Sequence, residues 1–133
     1  MNIQFAEDQM TDNELVLARA RADYLSNMAE FILTVVPRER VECAAIKRAG
    51  RAAGENPYEI GARCKARILA VNDEVMAPFS DAIVGAKRII YAHAPDPRRE
   101  FRELSAALPD EVKRQRAAMV AEVDAMIAEP DAE

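Results

Sequence analysis

The sequence predicts an all-α fold: a single compact bundle of five to six mostly antiparallel helices with a long central first helix. Three observations lead there. Helix-start signals recur along the chain: Thr11 to Glu14 reads as a capping box with Met10 and Leu15 as its hydrophobic staple, Asn56-Pro57 precedes Glu59, and Asp96 precedes Pro97. Between these marks apolar residues recur at helical spacing, and the alternation expected of strands is nearly absent. Most connections are short, which pairs neighbouring helices antiparallel.

Residues 1–10 are expected to form an arm, with Ile3 and Phe5 docking on the body. The first helix should run from Thr11 to about Val36 and end at Pro37, because the residue before a proline is pushed out of the helical region. Leu15, Ala18, Ala22, Leu25, Ala29, Ile32 and Val36 form a heptad-like seam whose three alanines would admit a close partner helix. A second stripe of Leu17, Tyr24, Met28, Phe31 and Val35 widens the apolar face, which argues for a central position.

A second helix should start near Pro37, pass through Val41, Ala45, Ala49 and Ala52, and stop where Gly54 supplies a left-handed residue. The third, after Asn56, carries Ile60, Cys64, Ile68, Val71 and Val75 on one face. Pro78 either kinks or ends it. The staple spacing of Phe79 and Val84 around Ser80 favours a new start. A fourth helix uses Ile83, Ala86 and Ile90 and ends in the turn Ala94-Pro95-Asp96-Pro97. A short fifth holds Phe101, Leu104 and Leu108, and a last one opens at Pro109 and is apolar through Met119, Val120, Val123, Met126 and Ile127. An acidic, frayed tail is expected over residues 129–133.

A chain of 133 residues fits one domain over 1–133 and can bury about two-thirds of its unfolded surface. Half of its residues are apolar, yet tryptophan is absent, so the core must rely on close helix–helix contact. Charged residues at 31% with a net charge of −5 argue against disorder and against generic nucleic-acid affinity. No apolar run approaches the roughly 18 residues of a membrane span, and no basic segment precedes an apolar one, so a cytoplasmic chain with no membrane partner is expected. Cys43 and Cys64 are the two cysteines, expected to be reduced and partly buried. A hairpin turning near Glu55 would bring them within about one helical turn of register, so a disulfide is conceivable but not indicated.

Charge is unevenly spread. Residues 1–37 carry a net −4, residues 38–68 a net +4 and residues 69–133 a net −5. The basic middle third contains Ala45 to Ile60, which has some look of a helix-turn-helix, with a glycine in the turn and Ile60 placed to pack inward. Arg63, Lys65 and Arg67 would then face a groove, with Arg51 on phosphate. Arg63 at the next inward position and Glu55 after the turn glycine depart from that pattern, and a solvated helical hairpin accounts for the same residues.

No chemistry-bearing constellation stands out. His93, the one histidine, sits at a helix end where the helix dipole suffices to explain it. No second histidine and no paired cysteines build a metal site, so no metal is expected. The carboxylate pairs Glu7-Asp8, Asp73-Glu74 and Asp110-Glu111 read as capping and surface residues rather than magnesium ligands. Ser26, Ser80 and Ser105 have no nucleophile elbow, and no phosphate-binding glycine loop appears, so neither an enzyme nor a cofactor is expected.

The leading functional expectation is a non-enzymatic protein-binding module, a regulator, inhibitor or assembly adaptor that docks through a helical surface. Its compact acidic helical style suits a phage or mobile-element protein. Self-association is the simplest form, through Ala18, Ala22 and Ala29 or through the face holding Met119, Val123 and Met126. The alternative is DNA binding through Arg48, Arg51, Arg63, Lys65 and Arg67.

Overall fold

The computed structural model describes residues 11–128 and is helical throughout them, with short connections. Three helices make up these residues: α1 (Asp12–Ala52), α2 (Pro57–His93) and α3 (Pro97–Ala128). The expected five to six helices are thus corrected to three. The arm over 1–10, with the Met10 half of the staple, and the tail over 129–133 lie outside the described residues.

The start and stop signals act as the sequence implies. Thr11 Oγ1 accepts the Glu14 amide at 3.1 Å while Glu14 reaches back to the Thr11 amide at 3.4 Å, closing the capping box. Asn56 Oδ1 accepts the Tyr58 amide at 2.8 Å, and Asp96 Oδ1 accepts the Arg99 amide at 3.3 Å. Gly54, at φ 68°, lets α1 end in a Schellman turn: the Glu55 amide reaches the Gly50 carbonyl at 2.9 Å, and the Gly54 amide reaches Arg51 at 3.1 Å.

The prolines explain the miscount. Pro37, Pro78 and Pro109 lie inside α1, α2 and α3 rather than between helices, and Ser80 starts nothing. An interior proline removes one hydrogen bond and costs about 3 kcal/mol in an isolated helix. All three face solvent. The carbonyl four residues earlier, deprived of its donor, therefore lies toward water, which can hydrate it. Packing on both sides of the proline then holds the axis. Phe31, Val35 and Val36 precede Pro37, while Cys43 and Gly50 beyond it meet α2. Val71 and Val75 precede Pro78 while Phe79 follows it, and these valines and phenylalanines all belong to one apolar cluster.

The described chain divides into two compact units, residues 11–30 with 82–128 and residues 31–81, so α1 and α2 each contribute to both. The first unit is a three-helix bundle. Leu17, Ala20, Ile90 and Leu104 are buried at its centre, with Tyr24, Leu25 and Phe101 packed against them. Arg21 adds a two-pronged bond to Glu100, Nε to Oε2 at 2.7 Å, and Gln115 Nε2 donates to the Ser26 carbonyl at 3.1 Å. Asn13 and His93 bond to each other's polar groups at the opposite end of α1's segment.

The second unit is a two-helix antiparallel hairpin. Phe31 meets Phe79 edge-on at 6.4 Å between ring centres, Val35 packs with Val71 and Val75, and Cys43 faces Cys64. Near the turn the backbones draw close: a Cβ on Gly50 would stand 2.6 Å from Ile60 Cγ1.

The packed face of α1 also differs from the expected seam. Ala22 is exposed and Leu15 is 36% exposed, whereas Leu17, Ala20, Ala29 and Val35 are buried. The inward face draws on both stripes: Leu17 and Val35 of the second are buried with Tyr24 and Phe31 half-buried, while Ala29 of the seam is fully buried and its Leu25 and Val36 pack against the two cores.

Candidate functional site

Each sequence-named basic residue has a definite place in the hairpin. Arg67 grips Glu42 through Nη2 at 2.7 Å and Nε at 3.2 Å, and its Nη1 lies 3.6 Å from Glu74. Arg38 pairs with Glu74 and lies 3.8 Å from Glu42, so two arginines and two glutamates form one network across the hairpin. Glu42 raises the Arg67 pKa further above its ordinary value, first by hydrogen bonding. Arg63 is paired with Glu55. Arg48, Arg51 and Lys65 are exposed.

The five residues therefore do not share one face of the hairpin. In a helix, Lys65 stands about 200° around the axis from Arg63, so the two point to different sides of α2. Two of the five cations are already engaged by carboxylates. The contacts from Gly50–Ile60 to Phe31–Phe79 also show helices running side by side, whereas a helix-turn-helix crosses at a wide angle. Over Ala45 to Ile60 the chain forms the helical hairpin rather than a helix-turn-helix, and ion pairs join its two helices.

A second collection of cations, which the sequence reading did not single out, lies in the three-helix bundle. Tyr24 from α1, Lys87 and Tyr91 from α2, and Arg98, Phe101, Arg102 and Ser105 from α3 line a cleft of about 590 Å³. Phe101 is its floor: its ring centre lies 5.6 Å from Tyr24, edge-on, and 5.1 Å from Tyr91. Burial raises the Tyr24 pKa above its ordinary value. Among the described residues, Lys87, Arg98 and Arg102 take part in no ion pair. The local signal was present in the sequence as two cation-containing one-turn pairs, Lys87 with Tyr91 and Arg98 with Arg102, the second enclosing Phe101. What was missing was knowledge that the connection at 94–96 folds them together.

The third feature continues the same helix face. At about 100° per residue, Arg98, Phe101, Arg102 and Ser105 share a side of α3 with Met119, Val120, Val123 and Ile127. These apolar residues are 52%, 53%, 52% and 76% exposed, and Met126 beside them is 69% exposed. From Arg116 to Ala128 no residue of α3 is even half-buried. Of the other residues named as an interface, Ala18 is half-buried, Ala22 exposed and Ala29 fully buried, so Ala29 presents nothing to solvent.

No family model, curated protein or solved structure matches this chain. No helix among the described residues is long and apolar enough to cross a membrane.

Proposed function

We propose that this chain is a non-catalytic protein-docking module whose α3 face receives a helical partner, with a second copy of the chain as that partner. The observation that carries the reading is one long face of α3 that is mostly exposed and, from Arg116 onward, wholly so: from Arg98 to Ile127 it spans about 44 Å at 1.5 Å per residue. It begins as a cationic aromatic cleft and ends as an exposed apolar stripe. Contiguous apolar surface of this kind on a small protein marks an interaction site.

Charge selects the orientation. Arg98, Arg102 and neighbouring Lys87 stand toward the start of the face, while Glu122 and Asp124 stand toward its end. Two copies in antiparallel register would set Arg102 beside the other copy's Asp124 and lay the Met119–Ile127 stripe over the Tyr91–Phe101 cleft. Parallel register would stack like charges. A two-fold pairing needs such a self-complementary surface.

Sedimentation velocity from about 1 to 100 µM tests this, spanning the affinity range of a modest interface. The expected result is a dimer that Met119→Glu with Val123→Glu abolishes while the helical circular dichroism is kept, since both positions are exposed. A wild-type chain that stays monomeric throughout overturns the second copy as partner. A dimer untouched by the double substitution overturns the α3 face.

A further inference from the structure

The hairpin contains a pair of groups that the docking reading does not use. Cys43 on α1 and Cys64 on α2 stand directly opposite one another, although 21 residues separate them in sequence. The arrangement is reciprocal. Cys43 Sγ lies 4.0 Å from the Cys64 carbonyl oxygen, and Cys64 Sγ lies 3.9 Å from the Cys43 carbonyl oxygen. Both sulfurs thus occupy the narrow gap between two close backbones, where facing cysteines can meet the distance that a bridge requires.

The two thiols differ in access. Cys64 is 7% exposed, whereas Cys43 is half-buried and opens onto a surface depression lined by Glu39, Arg40, Lys47 and Ile68. Arg40 and Lys47 give that depression two cations against one carboxylate, which suits an anionic reagent. Partial burial, then the neighbouring Cys64 thiol, raises the Cys43 pKa, and Lys47 acts in the opposite direction.

We propose that Cys43 and Cys64 form a dithiol site that a small anionic disulfide, of which oxidised glutathione is the type, converts to an intramolecular bridge across the hairpin. Cys43, as thiolate, attacks one glutathione sulfur; the glutathione disulfide breaks and one glutathione thiolate leaves. Cys64, as thiolate, then attacks the Cys43 sulfur of the mixed disulfide and expels the second glutathione thiolate. The protons given up by the two protein thiols end on the two glutathione thiols. One protein disulfide is formed, one small disulfide is consumed, and no other oxidant enters. Cys43 is the entry thiol and Cys64 the resolving thiol because access differs in that order.

The test uses the full chain, fully reduced, incubated with millimolar oxidised glutathione at mildly alkaline pH, then alkylated in denaturant and weighed intact. The expected product is a monomer lighter by two hydrogens, carrying no alkyl group and no glutathionyl group. Cys64→Ser should stop at one stable glutathionyl adduct, and Cys43→Ser should react at least ten-fold more slowly than Cys64→Ser. The bridged form should also melt several degrees higher, because the cross-link restricts the unfolded chain. A wild-type product that keeps its glutathionyl group, joins two chains, or retains two alkylatable thiols overturns the proposal. So does a bridged form that melts lower than the reduced one. Sedimentation of the bridged form keeps this result separate from the docking reading, which concerns the α3 face and its cleft and not the two cysteines.

Discussion

The bundle and the hairpin solve the same problem with different means. In the bundle three helices enclose Leu17, Ala20, Ile90 and Leu104, and Ile90 is 0% exposed. In the hairpin two helices can cover only one side of each other, and the buried cluster is Val35, Val71 and Val75 with flanking phenylalanines, Ile60 and Cys64 being buried separately nearer the turn. What the hairpin lacks in enclosed volume it supplements with ion pairs, the Arg38–Glu42–Arg67–Glu74 network and Arg63–Glu55, and with the close approach at Gly50. Exposed pairs are each worth roughly 0–1 kcal/mol, so apolar burial should still dominate both units. The comparison teaches that a third helix changes how much apolar surface each unit can enclose, with the hairpin adding a cross-helix ion network and one close approach at Gly50 to a thinner apolar core.

Truncating the best-buried residue of each unit should break that contrast most strongly. Ile90→Ala is expected to cost about 2–5 kcal/mol, as large-to-small core changes do. Val71→Ala, also at 0% exposure, removes less surface and should cost about 2 kcal/mol at roughly 0.8 kcal/mol per methylene plus a cavity contribution. Urea melts measure the totals, and amide exchange assigns each loss to its unit. A larger loss at Val71 would reverse the comparison.

Overpacking on α1 should come next. Ala29→Leu forces a bulky side chain into a fully buried position and should cost about 1–3 kcal/mol. Ala22→Leu should be within about 0.5 kcal/mol of neutral, since the site is exposed and both residues form helices well. Equal losses would mean that the inward face of α1 is drawn wrongly.

Glycine substitutions sharpen the hairpin's side. Gly50→Ala must displace Ile60 Cγ1 and Cδ1, at 2.6 and 2.8 Å, and should cost about 1–2 kcal/mol net of the helix preference for alanine. Gly61→Ala and Gly85→Ala meet nothing within 4 Å and should each stabilise by about 0.5–1 kcal/mol. Thermal melts of the three variants should therefore move in opposite directions.

The smallest effect is that of pH, and it belongs to the bundle. Hydrogen bonds from Arg114, then Gln115, hold Glu111 down at about 2, and Arg21 lowers Glu100 from the ordinary carboxylate value. A carboxyl whose folded pKa is depressed contributes stability above its unfolded pKa and loses it as pH falls through the folded value. The melting temperature should thus be insensitive to these groups above about pH 5 and fall as pH drops from about 4.5 toward 2. Glu111→Gln should flatten part of that fall.

The sequence by itself determined where helices begin and end when a polar cap or a left-handed glycine marks the place. Thr11, Asn56, Asp96 and Gly54 each act within four residues of their partners, so local chemistry suffices. It also determined that Cys43 and Cys64 would approach each other once the chain turned near Glu55. Only the tertiary structure decided the rest. Local steric rules say that Pro37, Pro78 and Pro109 break helices, but contacts from other segments hold the axes continuous, and those contacts lie far away in sequence. Periodicity gave α1 two neighbouring apolar stripes, and the packed face takes residues from both, Leu17 and Val35 from one and Ala29 from the other, according to where other segments meet the helix. The cationic cleft likewise unites residues from Tyr24 to Ser105, and the pairing of Arg63 and Arg67 with carboxylates depends on hairpin register. Spacing along a chain records which side chains share a face; what that face meets is settled by packing between segments.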